Sequence, residues 1–515
     1  MRVEPDLVVM SDELKSIYYQ RQDVLLIEDG SIHTSDFDSP SITSIKALIR
    51  DHFREHGFEF LPELNVSYIE PFIIKKHLDT LSKDLDEQDE SSKLMNSESA
   101  SRSRHIFELA VQKGASDIHI ELFKSETRIE ARIDGRLIEL IKPIQEYEYG
   151  ELLIGYLFND VSVDKDEDFY PTKSNNGRLS LLLDTNEGKR NTDWRISYIP
   201  AKDKGGQCTL RWLNKDVEVP KLDSLGWEQG HVEAMHGFMA SASGICLIAG
   251  QVSSGKTTVI ASSLNEMKRK GRSINTLEDP PEFDLGIIQT PVLDRNEDGF
   301  FQLAKLLLRH DVDIEMHGEI RDQKGAMSMC RKGETGQLMF STLHTSSAIG
   351  IAHTLNEQMH VPTALVAAPD LMKLWIYQTL VRTLCPKCSQ ALDEAKSHWS
   401  AKEKEQFDAW LEKNPDVSTK DIRFRHKDGC DDCELGEKGR TSLVEMIVLD
   451  DEDRKYILSK DYLGWLDALK SKGYKTVADH ANLKISRGDV DVFTAAERVD
   501  GLFPIKSEAV YQSFF

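Results

Sequence analysis

The chain has 515 residues, 40% hydrophobic and 29% charged, and at about 150 residues per domain it holds three or four domains. Its 64 lysines and arginines face 87 aspartates and glutamates, a formal charge of −23, which argues against a protein whose main task is coating nucleic acid with basic stripes. No apolar run reaches the roughly 18 residues of a spanning helix, and the opening MRVEPDLVVMSDELK lacks a basic stretch followed by an apolar core, so neither a bilayer span nor a signal peptide is expected and the location is read as cytoplasmic.

Residues 1–82 mix apolar and polar segments, with Val66–Leu78 able to pack, and carry no chemical motif. Residues 83–103 are acidic, serine-rich and poor in large apolar side chains, which reads as a flexible linker, with a solvated helix as the alternative. From Arg104 order returns. HIFELAVQKGA places Ile106, Leu109 and Ala110 at helical spacing, with Gly114 as the C-cap. SDIHIEL alternates with Ile118 and Ile120 on one face, and ETRIEARIDGRLIEL predicts two strands around an Asp134-Gly135 turn. This α+β stretch covers 104–216, and a link at 217–228 leads into alternating strands and helices over 229–384. There Ile245–Ala249 (ICLIA) is a continuous apolar run, suited to a parallel strand buried on both faces. Lys256–Lys268 predicts a helix, and Val312–Met316 and Leu338–Ser341 predict further strands. The pattern is that of an α/β domain with a mostly parallel sheet. Ser400 caps a predicted helix reaching Asn414, with Phe407, Trp410 and Leu411 on one side. Residues 441–515 read as largely helical.

The seven cysteines are too few for a disulfide framework. Four form two C-x-x-C pairs, Cys385/Cys388 and Cys430/Cys433, and two such knuckles supply the four thiolates of a tetrahedral structural zinc site. A redox pair needs only one of them. The segment 385–440 is therefore a small zinc-binding insert, and a closed site of this kind says little about chemistry.

Gly250, Gln251, Val252, Ser253, Ser254, Gly255, Lys256 and Thr257 fit G-x-x-x-x-G-K-[ST], lie between the ICLIA strand and a helix, and are followed by Thr258. Backbone N–H groups of such a loop point at phosphates, the helix N-terminus adds positive potential, Lys256 reaches the β and γ phosphates, and the Thr257 hydroxyl is a ligand for Mg²⁺. Ser253 stands where such loops often have glycine. Either the serine takes a positive φ at some cost, or the loop avoids that conformation. A P-loop also needs carboxylates for the metal and the attacking water. Glu319 follows the predicted strand Val312–Met316. Glu278, Asp279 and Glu282 lie in TLEDPPEF, and His344 lies just past the strand at 338–341. Taken singly each is ordinary for a solvated surface; together, each after an apolar strand of one P-loop domain, they point to a site.

In this order these segments resemble the secretion ATPase family of type II secretion and type IV pilus assembly systems, over about four fifths of the chain. ASDIHIE (115–121) and RIDGRL (132–137) are similar to its N-terminal ATPase subdomain, GQVSSGKTT to its Walker A, TLEDPPEF (276–283) to its Asp box, LLRHDVDIEMHGEIRD (307–322) to its Walker B, and TGQLMFSTLHT (335–345) to its His box. LVRTLCPKC, GCDDC and GRTSLVEM are similar to its zinc-bearing insert and the chain after that insert. The resemblance implies a RecA-like P-loop ATPase domain preceded by an α+β, PAS-like subdomain, with a tetracysteine insert and a helical C-terminus. It implies a homo-hexamer that uses ATP and Mg²⁺ to drive a polytopic inner-membrane platform protein from the cytoplasmic side. The tetracysteine insert favours assembly or secretion over retraction. By matched position Glu319 activates water, Glu278 assists, His344 senses the γ-phosphate, and Arg178 and Arg195 reach the phosphates from the N-terminal subdomain, with Arg211 a weaker candidate. Arg309 matches an arginine ahead of Walker B. Residues 1–82 are expected to dock to the membrane assembly.

The chain departs from the family pattern at Gln251, Val252 and Ser253 of Walker A, at the DVD of Asp311–Asp313, at Lys305, and at Gln337 where a histidine is usual. An active but divergent ATPase is expected, of a kind that suits a plasmid thin-pilus or bundle-forming-pilus motor. Two alternatives stay open: a DNA-translocating conjugation motor, against which the charge speaks, and a nucleotide-binding scaffold without turnover.

Overall fold

The computed structural model describes all residues except 1–7, 10, 56–63, 72, 75–76, 79–89, 187, 214–217, 269–270, 293–296, 504–506, 513 and 515. Two compact units divide the chain, Met1–His105 and Ile106–Phe515. In the first, short apolar runs build a three-stranded sheet of β1 (Val24–Leu26), β2 (Ile32–Thr34) and β3 (Val66–Tyr68), with helices Asp12–Arg21 and Pro40–Glu55. Its core holds Tyr18, Val24, Ile32 and Ile45, and the Val66–Leu78 stretch contributes Ile69, Ile74 and Leu78.

The stretch 83–103, expected as a linker or a solvated helix, is described only in part. Residues 83–89 lie outside the described residues, and from Glu90 the chain is helical through Gln112. Low apolar content withholds burial but not helix propensity, since Glu, Lys, Leu, Met and Ala are all good helix formers. The C-terminal end of this helix is anchored by Ile106, Phe107, Ala110 and Val111 in the next core.

That core lies against a seven-stranded antiparallel sheet, β4 (Asp117–Leu122), β5 (Thr127–Ile133), β6 (Arg136–Ile144), β7 (Asp164–Lys165), β8 (Asn175–Thr185), β9 (Gly188–Pro200) and β10 (Gly206–Trp212), in the order β6-β5-β4-β10-β9-β8-β7. Period-two alternation sends Trp194, Ile196 and Tyr198 inward from β9 and leaves Arg195 on the other face. Asp134 and Gly135, with φ of 46° and 81°, form the tight turn between β5 and β6 that their types favour.

The third sheet contains β11 (Gly244–Ala249), β12 (Ile274–Glu278), β13 (Ile288–Pro291), β14 (Ile314–His317), β15 (Leu338–Leu343), β16 (Met372–Leu384) and β17 (Glu437–Val448), ordered β13-β12-β14-β15-β11-β16-β17. All neighbours are parallel except the antiparallel pair β16 and β17. Every residue of β11 is buried, because side chains from helices cover both faces, as a parallel sheet requires. After β11 the chain crosses over β15 and β14 to reach β12, so the end of β11 is a switch point where a crevice opens. Ser400 caps helix Ala401–Lys413 through a capping box with Glu403, and helices follow β17 to the C-terminus.

Candidate functional site

The loop from Gly250 to Gly255 leaves the C-terminal end of β11 and enters helix Lys256–Met267. Glycines are needed at both ends for different reasons. A Cβ on Gly250 would stand 2.3 Å from the Gln378 carbonyl oxygen, and Gly255 has a φ of 81°. Ser253 takes the left-handed conformation, φ 60°, so of the two sequence alternatives the strained one holds, at about 1 kcal/mol. Lys256 is buried and donates from Nζ to its own loop, to Gly250 O at 2.9 Å and Gln251 O at 2.8 Å. Burial pulls its pKa down, and the nearby carboxylates of Glu319 and Glu282 oppose that shift.

Other strand ends converge on the same crevice. Glu278 closes β12, is 6% exposed, and accepts on Oε1 from Thr276 and from Gln289 Nε2 at 3.0 Å. Glu319 lies just past β14. Its segment is stitched to both neighbours: Gly318 N–H donates to Leu277 O at 2.8 Å, and Thr342 Oγ1 donates to Gly318 O at 2.6 Å. A Cβ on Gly318 would lie 3.6 Å from the Glu278 Cα, so the two acidic strand ends touch. His344, after β15, faces Gly250 O through Nδ1 at 3.0 Å and Glu319 Oε1 through Nε2 at 3.2 Å. Both ring nitrogens thus face oxygen atoms of the crevice. Lys256 and His344 therefore meet on one carbonyl, and His344 carries the contact on to Glu319.

The arginines come from the small sheet. Arg178 on β8, Arg195 on β9 and Arg211 on β10 stand directly opposite one another across adjacent strands. Like charges so placed repel, and an anion relieves them. Arg211 is held at 2.8 Å by the buried carboxylate of Asp117, which also accepts from Ser116, so its contact is a structural ion pair. Arg178 lines a cleft of about 520 Å³ together with Ser180 and Asp193 on one wall and Pro281, Glu282 and Phe283 on the other. That second wall is the turn after β12, so the cleft joins the small sheet to the nucleotide-loop side.

The cysteine pairs are brought together by strand pairing. Cys385 follows β16 and Cys433 precedes β17, and Leu384 pairs with Glu437 at the neck of the long excursion between them. The four sulfurs lie within 4.8 Å of one another, with Sγ···Sγ separations of 3.8 Å for Cys385–Cys430 and 3.6 Å for Cys388–Cys433 and Cys430–Cys433. A tetrahedron of thiolates with bonds of about 2.3 Å has edges of about 3.8 Å, so the donor set fits one such ion.

Two contacts escape sequence reasoning. Arg321 donates from Nε to Glu319 Oε2 at 3.0 Å, although it is readable only as part of the EIRD run. Gln378 and Trp227 meet beneath the loop, and the signal in the sequence is an amide directly after the apolar and aromatic run Leu374–Tyr377.

Comparison with known proteins agrees with this geometry. Residues 96–499 match the family described as "Type II/IV secretion system protein". The Type II secretion system ATPase E of Vibrio cholerae is 33% identical over 353 residues, 68% of this chain and 65% of that protein. The putative type II secretion system protein E of Escherichia coli is 32% identical over 75% of this chain and 73% of its own length. The chain thus spans somewhat less than two thirds of the Vibrio relative. Among solved structures, the Legionella pneumophila ATPase DotB superposes with a TM-score of 0.55 at 20% identity, covering 76% of this chain and 93% of that one, which speaks to the fold alone. A match over most of the chain, on a RecA-like α/β core with a tetracysteine cluster and a helical C-terminus, places this protein in the Type II/IV secretion system protein family.

Proposed function

We propose that this chain hydrolyses ATP to ADP and phosphate and couples the reaction to type IV pilus assembly or type II secretion. The observation that carries the reading is the meeting of Lys256 and His344 on Gly250 O, with Glu319 on the second nitrogen of His344. Three strand ends of one crevice converge there. Lys256 has backbone carbonyls as its close partners, an arrangement that a phosphate oxygen replaces with gain, because a buried ammonium prefers an anion. Loop N–H groups from Gln251 to Lys256 would bind the phosphates, and Thr257, on the first turn of the helix, would hold Mg²⁺. When bound, that ion would supply charge neutralisation at the phosphates.

Glu319 orients the water and takes its proton at the carboxylate. The water oxygen bonds to the γ-phosphorus as the bond to the ADP oxygen breaks. Glu278 assists from the adjoining strand end. His344 reports the γ-phosphate to the loop, and Arg178 and Arg195 approach it from the small sheet. The four cysteines would hold a structural Zn²⁺. No described helix is long and apolar enough to cross a membrane. The chain acts as a homo-hexamer, peripheral to the inner membrane through a polytopic platform protein, with residues 1–82 as the docking region. Phosphate release by purified protein tests the reading beside Glu319→Gln, for which turnover falls by about 10²-fold or more. Equal, slow release by both would leave a nucleotide-binding scaffold instead.

A further inference from the structure

Beneath the loop, Gln378 is 1% exposed in the middle of β16, directly after the apolar and aromatic run Leu374–Tyr377. Its Nε2 donates to Ser254 O at 2.8 Å, and its Oε1 accepts from Trp227 Nε1 at 2.7 Å. A primary amide donates through its nitrogen and accepts through its oxygen without carrying charge, so one side chain can hold two partners at once. One end holds the loop. The other end holds the connector between the two sheets, which reaches the parallel sheet here. Gly226 has a φ of 80°, and a Cβ on it would lie 2.1 Å from Thr441 Oγ1, so the connector is pressed onto β17 one residue before Trp227. Trp227 is 6% exposed and packs edge-on against His231 of the next helix. The amide nitrogen also lies 3.0 Å from where a Cβ on Gly255 would stand, so the loop turns directly over it.

We infer that Gln378 is a positioning residue for the nucleotide loop and that, through Trp227, it ties loop conformation to the connector leading to the arginine-bearing sheet. The inference rests on the proposed nucleotide site. Fixing the Ser254 carbonyl outward leaves the N–H groups that follow it directed into the loop, ready for phosphate. Loss of the amide frees the loop and orphans two buried polar groups, one at each end.

The test is nucleotide affinity of the full chain, measured by calorimetry with a non-hydrolysable ATP analogue and Mg²⁺, for wild type, Gln378→Met, Trp227→Phe and the double variant. Gln378→Met is expected to weaken binding about tenfold, about 1.4 kcal/mol, with little change in kcat at saturation. Trp227→Phe keeps the ring packing and weakens binding less. The double variant is expected to be no weaker than Gln378→Met alone, since both lie on one chain of contacts. A nucleotide-induced change in tryptophan fluorescence is expected in wild type and is lost in Trp227→Phe. Binding by Gln378→Met within twofold of wild type, or strictly additive losses, overturns the inference. If Gln378→Met does not fold, Trp227→Phe decides: unchanged affinity with unchanged fluorescence response overturns it. Failure of wild type itself to bind, no better than Lys256→Ala, overturns the nucleotide reading instead.

Discussion

Glu315, His317 and Lys332 have no exposed side-chain surface, yet all three are ionisable. Glu315 Oε1 receives the Lys332 ammonium and faces His317 Nε2 at 2.6 Å. Burial pushes the pKa of both Lys332 and His317 down, and the glutamate opposes each shift. Removing one member of such a group leaves an uncompensated charge in the core, whereas replacing all of them with apolar groups is often neutral. Lys332→Ala is therefore expected to destabilise the protein by about 3–5 kcal/mol in urea unfolding, and the triple variant E315V/H317V/K332A by much less. Loss of stability in the triple variant equal to that in the single one would show that the charges, not their pairing, hold the strand. The glutamate and histidine are visible in IEMHGEIRD. Their partner, 17 residues on in the helix after β14, is not, because nothing local predicts which face of that helix meets the strand.

At the scale of elements, two features answer to solution conditions. The four cysteines close the neck of an excursion that begins at the end of β16 and returns at β17. Chelation of the proposed zinc, or Cys433→Ser, is expected to free the segment 386–436 while the parallel sheet stays folded. Limited proteolysis checks this, with new cleavage confined to that segment, and metal analysis of gently purified protein is expected to give about one zinc per chain. The second feature is helix Val477–Ser486, whose His480 accepts the Val444 N–H at 3.0 Å. Burial, then Lys484 and His231, push the His480 pKa down to about 4, against the opposing charge of Glu228. A histidine held neutral in the fold binds fewer protons than in the unfolded chain between about pH 6.5 and 4. Its contribution is thus fully present above about pH 6.5 and is lost as pH falls towards 4, by at most about 3 kcal/mol. Unfolding free energies at about pH 7 and about pH 4.5 check the sign, and His480→Gln is expected to flatten part of the slope. The cysteine pairing was legible because four residues of one chemistry recur at ligand spacing. The histidine was not, since its neighbours Glu228 and His231 lie about 250 positions upstream, at another helix. Three strand ends were legible for the opposite reason: β11, β14 and β15 are buried along their whole length and stand out as apolar runs, and only their bounds moved, as at Ile314–His317.

The whole second unit depends on how the small sheet meets the parallel one. In the proposed reaction Arg178 acts across that boundary, so Arg178→Ala is expected to lower turnover by about 10²-fold with nucleotide affinity nearly kept. Arg211→Ala, which breaks the pair with Asp117, is expected to cost stability rather than turnover. The two effects are separated by comparing phosphate release with thermal melting. The opposite end of the small sheet is anchored. At the β5–β6 turn, Asp134 Oδ2 accepts the Gly439 N–H at 2.7 Å, and Arg136 meets Glu437 at 3.0 Å, beside Arg382. Nearby, Lys113 pairs with Glu434, the residue after Cys433. RIDGRL thus makes its contacts outside the phosphate crevice.

That anchorage makes the small sheet a lever. The strands run β5, β4, β10, β9, β8, so four inter-strand steps separate the pinned turn from the strand that carries Arg178, about 19 Å at the usual spacing. Rotation of about 10° about the pinned end carries Arg178 by roughly 3 Å, the difference between a guanidinium in contact with a phosphate and one with a water between. A pivot at the cysteine-bearing neck would then convert a small angular change into the making or breaking of one charged contact.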